Sequence, residues 1–132
     1  MDSPQLMIID DEFGVRESLK MVFAKTYQII EAASADVAMS KFEEALPSVV
    51  LLDVMMPKTD GFELLRRIKG IHPGCAVIML TGVNSQQLAE KAKESGAFDF
   101  IGKPFDIVDL REKVAGAFAR VEQNFPSSLQ ER

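Results

Sequence analysis

Four short apolar runs, each closed by a polar residue, constrain this 132-residue chain more than any other feature. Val49-Val50-Leu51-Leu52 ends at Asp53 and is followed by Val54-Met55-Met56-Pro57. Leu6-Met7-Ile8-Ile9 ends at Asp10 and Asp11. Ala76-Val77-Ile78-Met79-Leu80 ends at Thr81, and Phe100-Ile101-Gly102 ends at Lys103, just before Pro104. Unbroken apolar runs of this length read as parallel strands buried on both faces. A carboxylate that ends such a strand lies at the carboxyl edge of the sheet, where open α/β sheets place their active crevices. Three acids, a hydroxyl and an amine at four strand ends make a site for a divalent metal and a phosphoryl group.

The rest of the chain supplies the helices such a sheet needs. Strand and helix patterns alternate five times, the α/β signature. The first strand is expected at Gln5–Ile9, then a helix with Val15, Leu19 and Val22 on one face. A second strand covers Tyr27–Glu31. Ser34 caps a second helix bearing Val37/Ala38, Phe42 and Ala45/Leu46, which Pro47 stops. The third strand, Val49–Asp53, leads into a loop, Met55–Thr59. Asp60-Gly61-Phe62-Glu63 then has the acid-cap and Glu spacing of a helix start, and reads as turn and cap rather than as ligand. This third helix turns Phe62, Leu65 and Ile68 inward and ends through Gly70 and Pro73-Gly74.

The fourth strand is Ala76–Thr81. A mostly polar fourth helix spans about Ser85–Ser95 and stops at Gly96. The fifth strand is Phe98–Ile101. Asp106 caps the last helix, whose Leu110, Val114, Ala117/Phe118 and Val121 face the core, and which ends before Pro126. Connections this short, with right-handed crossovers, put helices on both faces of a five-stranded parallel sheet.

The net charge of −5 argues against nucleic-acid binding by this chain, since phosphate contacts need a basic face. It leaves a DNA-binding partner domain open. The single cysteine, Cys75, rules out an internal disulfide and reads as a reduced thiol at the start of a strand. No apolar stretch approaches the ~20 residues that span a membrane, and no signal peptide is evident, so a cytoplasmic location is expected. Near the end, Ser127 and Ser128 precede Gln130 and Glu131 by three residues, a helix-start spacing with no helix to follow. That pattern suggests a piece of a longer protein.

Electrostatics sharpens the site. Two carboxylates ~5 Å apart at an effective dielectric of ~20 repel by about 3 kcal/mol. Three acids at neighbouring strand ends therefore need compensation. A few hard oxygen ligands suit Mg²⁺, which keeps several waters and bridges to phosphate. Lys103 offers a point charge to a phosphate oxygen and Thr81 a hydroxyl donor. Asp53 is then the nucleophile that accepts the phosphoryl group as an acyl phosphate.

Taken in chain order, Asp10-Asp11-Glu12, Asp53-Val54-Met55-Met56-Pro57-Lys58-Thr59-Asp60-Gly61, Thr81-Gly82 and Lys103-Pro104-Phe105 resemble the receiver domain of two-component response regulators. The resemblance covers about residues 4–122. It implies a flavodoxin-like (βα)5 sheet of order 2-1-3-4-5. It implies Asp53 as the acceptor of phosphate from the phosphohistidine of a sensor kinase or histidine phosphotransfer domain. Asp11, Asp53 and the main-chain carbonyl of Met55 match the family's direct Mg²⁺ ligands, with Asp10 acting largely through water; Mn²⁺ can substitute. Thr81 and Lys103 match the phosphate-sensing pair, and Phe100 the aromatic switch, where many relatives carry Tyr. A cis Lys103–Pro104 bond is also implied.

The division expected from this resemblance is a receiver at 1–123 and a tail, or the start of a linker to an output domain, at 124–132. The segment from Gly96 to Asp106 is similar to receivers of AAA+ enhancer-binding activators. Phe98 stands where receivers of winged-helix regulators carry an acid for their dimer salt bridges. The implied partners are the kinase or phosphotransfer domain, an output domain or effector, and a second copy after phosphorylation. The alternative is a stand-alone receiver that acts by protein–protein interaction or as a phosphorelay intermediate.

Other assignments fit less well. A flavodoxin needs a Ser/Thr/Gly-rich phosphate loop after the first strand, and Asp10-Asp11-Glu12-Phe13 is its electrostatic opposite. A haloacid-dehalogenase-type phosphatase needs a second Asp two residues after the first, which Asp53-Val54-Met55 lacks. A pseudo-receiver lacks one of the acids, or Lys103, and none is missing. His72 reads as a surface turn residue, and the seven methionines as mostly core filler, with Met55 and Met56 partly exposed beside the site.

Overall fold

In a parallel strand buried on both faces, alternate side chains enter opposite layers. The computed structural model, which describes residues 4–82 and 86–124 (backbone only at 123 and 124), obeys that rule throughout. Along the chain the described elements are β1 (Gln5–Ile9), α1 (Phe13–Phe23), β2 (Gln28–Ala32), α2 (Ala35–Ala45) and β3 (Val49–Asp53). A small ribbon follows, β4 (Met55–Met56) and β5 (Thr59–Asp60). Then come α3 (Gly61–Ile71), β6 (Ala76–Thr81), α4 (Gln86–Glu94), β7 (Asp99–Gly102) and α5 (Ile107–Asn124).

The main sheet is parallel, in the order β2-β1-β3-β6-β7. Counting only its own strands, this is the expected flavodoxin-like order 2-1-3-4-5. Leu6, Ile8, Val49, Leu51, Ile78 and Leu80 point to one face, where α1 (Leu19, Phe23) and α5 (Leu110, Val114, Ala117, Val121) cover them. Met7, Ile9, Val50, Leu52, Val77 and Met79 point to the other. There α2 (Ala38, Met39, Phe42), α3 (Phe62, Leu64, Leu65, Ile68) and α4 (Ala92) cover them. Burying each such side chain contributes roughly 1.5–3 kcal/mol, so the two layers hold the strands in one register.

β1, β3 and β6 lie where the sequence places them. The other elements differ in instructive ways. The second strand begins at Gln28, because Tyr27 N–H bonds to the Phe23 carbonyl (2.9 Å) and its ring stacks on Phe118 at 4.5 Å. The fifth sheet strand runs Asp99–Gly102 rather than Phe98–Ile101, since its pairing with β6 continues until Gly102 meets Thr81. Ser34 does cap α2, its Oγ accepting from Val37 N–H at 3.3 Å. The helix phase set by that cap turns Ala38, Met39 and Phe42 inward and leaves Val37 exposed. Leu46 is the C-cap, with a left-handed φ of 47°, and is exposed rather than buried. Gly70 lies inside α3, which continues to Ile71. Met56 is buried and Met55 exposed, because the ribbon in the expected loop turns successive side chains to opposite sides.

Asp106 caps α5 as expected, its Oδ1 accepting from Asp109 N–H at 3.1 Å. The expected start of the fourth helix at Ser85, the stop at Pro126 and the pattern at Ser127, Ser128, Gln130 and Glu131 lie outside the described residues.

Candidate functional site

Parallel strands in register end together, and this brings the polar residues to one edge. Ile9, the last residue of β1, pairs with Leu52, so Asp10 lies beside Asp53. Asp53 pairs with Leu80, one residue before Thr81, and Thr81 pairs with Gly102, one residue before Lys103. The ladder is extended at this edge by Val54 N–H to the Leu80 carbonyl (2.8 Å) and Lys103 N–H to the Thr81 carbonyl (2.7 Å). The Lys103–Pro104 bond is cis.

Asp10 and Thr81 are fully buried and Asp53 is 3% exposed, whereas Asp11 is exposed. One carboxylate oxygen from each of Asp10, Asp11 and Asp53 lies within 4.8 Å of the others. Lys103 Nζ donates to Asp10 Oδ2 at 2.9 Å and to Asp53 Oδ2 at 3.5 Å, and stands 3.9 Å from Glu12 Oε1. Backbone amides hold the remaining oxygens: Glu12 N–H donates to Asp10 Oδ1 (2.9 Å) and Met55 N–H to Asp53 Oδ1 (3.0 Å).

Burial is the main reason the Asp53 carboxyl lies above the usual carboxylate range. The Met55 amide opposes it, the neighbouring Asp10 charge adds to it, and Lys103 opposes it again. Burial alone would lower the Lys103 ammonium. Asp10, Asp53 and Glu12 outweigh burial and hold it above its ordinary value, so this lysine stays charged. The set is thus two buried acids, one exposed acid and one permanent cation. Its donors are few, hard and oxygen-only, and one of them faces water, which suits a divalent cation that keeps part of its hydration shell.

Two loop devices hold the β3 end in place. Asp60 Oδ1 accepts from Phe62 N–H at 2.9 Å and caps α3, so it is committed to the backbone. A Cβ at Gly61 would stand 2.7 Å from the Val54 carbonyl oxygen, so only glycine lets α3 start this close under the turn that follows Asp53. Phe100 is not among the acids. It is partly buried on β7 and lines a cleft of about 200 Å³ against α4, with Ala89, Ala92 and Lys93. His72 and Cys75 lie before β6, at the opposite edge of the sheet. Cys75 is buried, and chiefly for that reason its thiol is pushed up to about 12.

Sequence reasoning quoted Glu12 only as part of the Asp10-Asp11-Glu12 run, without a role, and missed the roles of Arg16 and Glu31. Arg16 donates from Nη1 to the Asp10 carbonyl (2.8 Å) and from Nε to Glu31 Oε1 (3.0 Å). Glu31 was open to the reasoning that found Asp53, being an acid near the end of an apolar strand, Gln28-Ile29-Ile30-Glu31-Ala32.

The response regulator receiver domain family matches residues 6–115, and the chain belongs to that family. The chain is similar to sporulation initiation phosphotransferase F of Bacillus subtilis, at 36% identity over 115 residues, 86% of this chain and 93% of that one. It is 34% identical over 107 residues to the regulatory protein AtoC of Escherichia coli, covering 80% of this chain and 23% of that one. A response regulator receiver domain protein from Clostridium thermocellum, solved as a crystal structure, matches with a TM-score of 0.87 at 31% identity, over 92% of this chain and 99% of that one. No helix of the described residues is long and apolar enough to cross a membrane.

Proposed function

We propose that this chain is a phosphorylation-operated switch in which Asp53 takes a phosphoryl group from a phosphohistidine of a sensor histidine kinase or a histidine phosphotransfer domain. One observation carries the reading: the Lys103 ammonium stands between Asp10 and Asp53, residues 93 and 50 positions away in sequence, inside a three-carboxylate cluster. An Asp53 oxygen attacks phosphorus, the N–P bond of the donor breaks and an acyl phosphate forms, while the leaving imidazole nitrogen keeps the bonding pair. The Lys103 charge neutralises a phosphoryl oxygen, and the Thr81 hydroxyl donates to another. Asp11, Asp53 and the Met55 carbonyl would hold Mg²⁺ directly, with Asp10 acting through water. The ion supplies charge neutralisation at the transferring group.

The test is incubation with Mg²⁺ and acetyl phosphate, followed by mass measurement of the intact protein. One phosphoryl group is expected on wild type and none on Asp53→Ala. Equal labelling of the variant would refute the assignment.

The phosphoryl signal reaches the surface through Thr81 and Phe100. The Thr81 hydroxyl turns toward the phosphoryl group, and Phe100 moves inward beside the cleft under α4. Phe has no phenol hydroxyl, so its inward state rests on apolar burial alone. A beryllofluoride phosphate mimic should shift the Phe100 ring signals in NMR; unchanged signals would point to another relay. The face built by α4, β7 and α5 then binds a second copy, an output domain or an effector. The division proposed is a receiver at 1–123 and, at 124–132, a tail or the start of a linker to an output domain. One relative is matched over nearly its whole length and the other over a fraction of it. The family thus holds both kinds of architecture, and a stand-alone receiver stays the second reading. The setting proposed for either is the cytoplasm, with control of transcription where an output domain binds DNA.

A further inference from the structure

The acid cluster contains one residue that nothing inside it restrains. Asp10 is held by Lys103 and by the Glu12 amide, and Asp53 by the Met55 amide, whereas Asp11 is exposed at the strand end. Its position depends on the peptide that joins it to Asp10. The Asp10 N–H completes the ladder to the Ala32 carbonyl at 3.1 Å. The Asp10 carbonyl, half of the Asp10–Asp11 peptide, accepts from Arg16 Nη1 at 2.8 Å. The same guanidinium donates from Nε to Glu31 Oε1 at 3.0 Å, and its side chain is only 12% exposed. Glu31 is steadied in turn by Lys20 Nζ at 2.8 Å, a bond that is the chief reason its carboxyl lies below the usual range. Phe13 lies beneath the guanidinium, 5.7 Å from ring centroid to Cζ. A planar fork with both arms engaged and a ring at its face has little freedom left.

We infer that Arg16, oriented by Glu31, is a positioning residue that fixes the Asp10–Asp11 peptide and so presents the Asp11 carboxylate to the metal. The inference rests on the metal-site reading above. It has a sign that simple electrostatics opposes. Arg16 is a cation beside a cation site, so deleting its charge should strengthen Mg²⁺ binding on Coulomb grounds. Deleting a positioning contact should weaken it, typically by about 10–100-fold for partners that orient metal ligands.

Mg²⁺ affinity is therefore measured by titration calorimetry on wild type, Arg16→Met, Arg16→Lys, Glu31→Gln and Lys20→Met, with circular dichroism to verify folding. Arg16→Met is expected to bind Mg²⁺ about 10-fold more weakly. Arg16→Lys keeps the charge but cannot span both acceptors, so it should be weakened too, and it serves as the test variant if Arg16→Met does not fold. Glu31→Gln should be weakened less. Lys20→Met, which removes a charge from the same network but no contact to the Asp10 carbonyl, should bind as tightly as wild type or more so. In phosphorylation by acetyl phosphate, the Mg²⁺ concentration giving half the maximal rate should rise for Arg16→Lys, with the rate at saturating Mg²⁺ little changed. Affinity in both Arg16 variants equal to or tighter than wild type would overturn the inference. Absence of Mg²⁺ binding by wild type would instead overturn the metal-site reading.

Discussion

Strand β3 and helix α4 both border the path from Asp53 to the surface, yet they are held very differently. All five residues of β3 are buried, and its Leu51 and Leu52 are fully enclosed in opposite layers. Among the nine residues of α4 only Ala92 is buried, with Leu88 packed partly against the core and a cleft left beside Phe100. Such a difference in packing sets the free energy of local opening. The proposed chemistry therefore stands on a floor that does not give, and the proposed readout on a helix that can shift at small cost. A phosphoryl signal worth ~1–3 kcal/mol can bias the second but not the first.

The largest effect is expected in the core of β3. Leu51→Ala should cost about 2–5 kcal/mol in urea unfolding. A cost below about 1 kcal/mol would mean that the floor is not rigid. Mg²⁺ comes next. At a hundred times its dissociation constant it should stabilise the fold by about 2.7 kcal/mol. In amide exchange the slowing should be largest at the ends of β1 and β3 and small in α4, where local opening already governs exchange. Equal slowing of α4 would erase the contrast.

Asp53→Asn, measured without metal, should raise the melting temperature at neutral pH by a few degrees, because it removes a buried charge beside Asp10. The folded carboxyl titrates above its unfolded value. Its contribution to stability is thus fully present below the unfolded value of about 3.9, and is lost as the pH rises through the folded value. The gain of the variant should accordingly fade as the pH is lowered through the folded value and be gone below about 4. A variant less stable than wild type at pH 7 would mean that Lys103 already offsets the burial of this charge.

The smallest effect concerns one tie between α4 and α3. Lys91 Nζ lies 4.3 Å from the centroid of the Phe62 ring on α3. Lys91→Met should cost only about 0.5–1 kcal/mol. It should speed amide exchange in α4 while leaving β3 unchanged. No change in α4 would show that Ala92 and Leu88 alone hold that helix.

The β3 floor was legible in the sequence because its signal is local. A short apolar run closed by an acid identifies strand, layer and edge at once, and β1, β3 and β6 lie where such runs end. Helix phase was less legible. Val37 and Leu46 are apolar but exposed, because the Ser34 cap and the left-handed turn at Leu46 set which residues face inward. The ribbon of β4 and β5 escaped notice because two-residue strands carry no periodicity. Its tight turn places Lys58 at a φ of 60°, which no glycine announced.

By itself the sequence determined the order of elements, the two layers of the core and the polar residue at each strand end. These follow from residue-by-residue alternation and from runs that have nowhere to go but inside a sheet. The tertiary structure decided how those ends are wired. Lys103 bonds Asp10 more closely than Asp53, 2.9 Å against 3.5 Å, and Arg16 reaches from α1 to the Asp10 carbonyl and the Glu31 carboxylate. Such contacts join residues between 6 and 93 positions apart through long side chains that could reach several acceptors. Strand register and helix placement select among those acceptors, and neither is written in any local stretch of the chain.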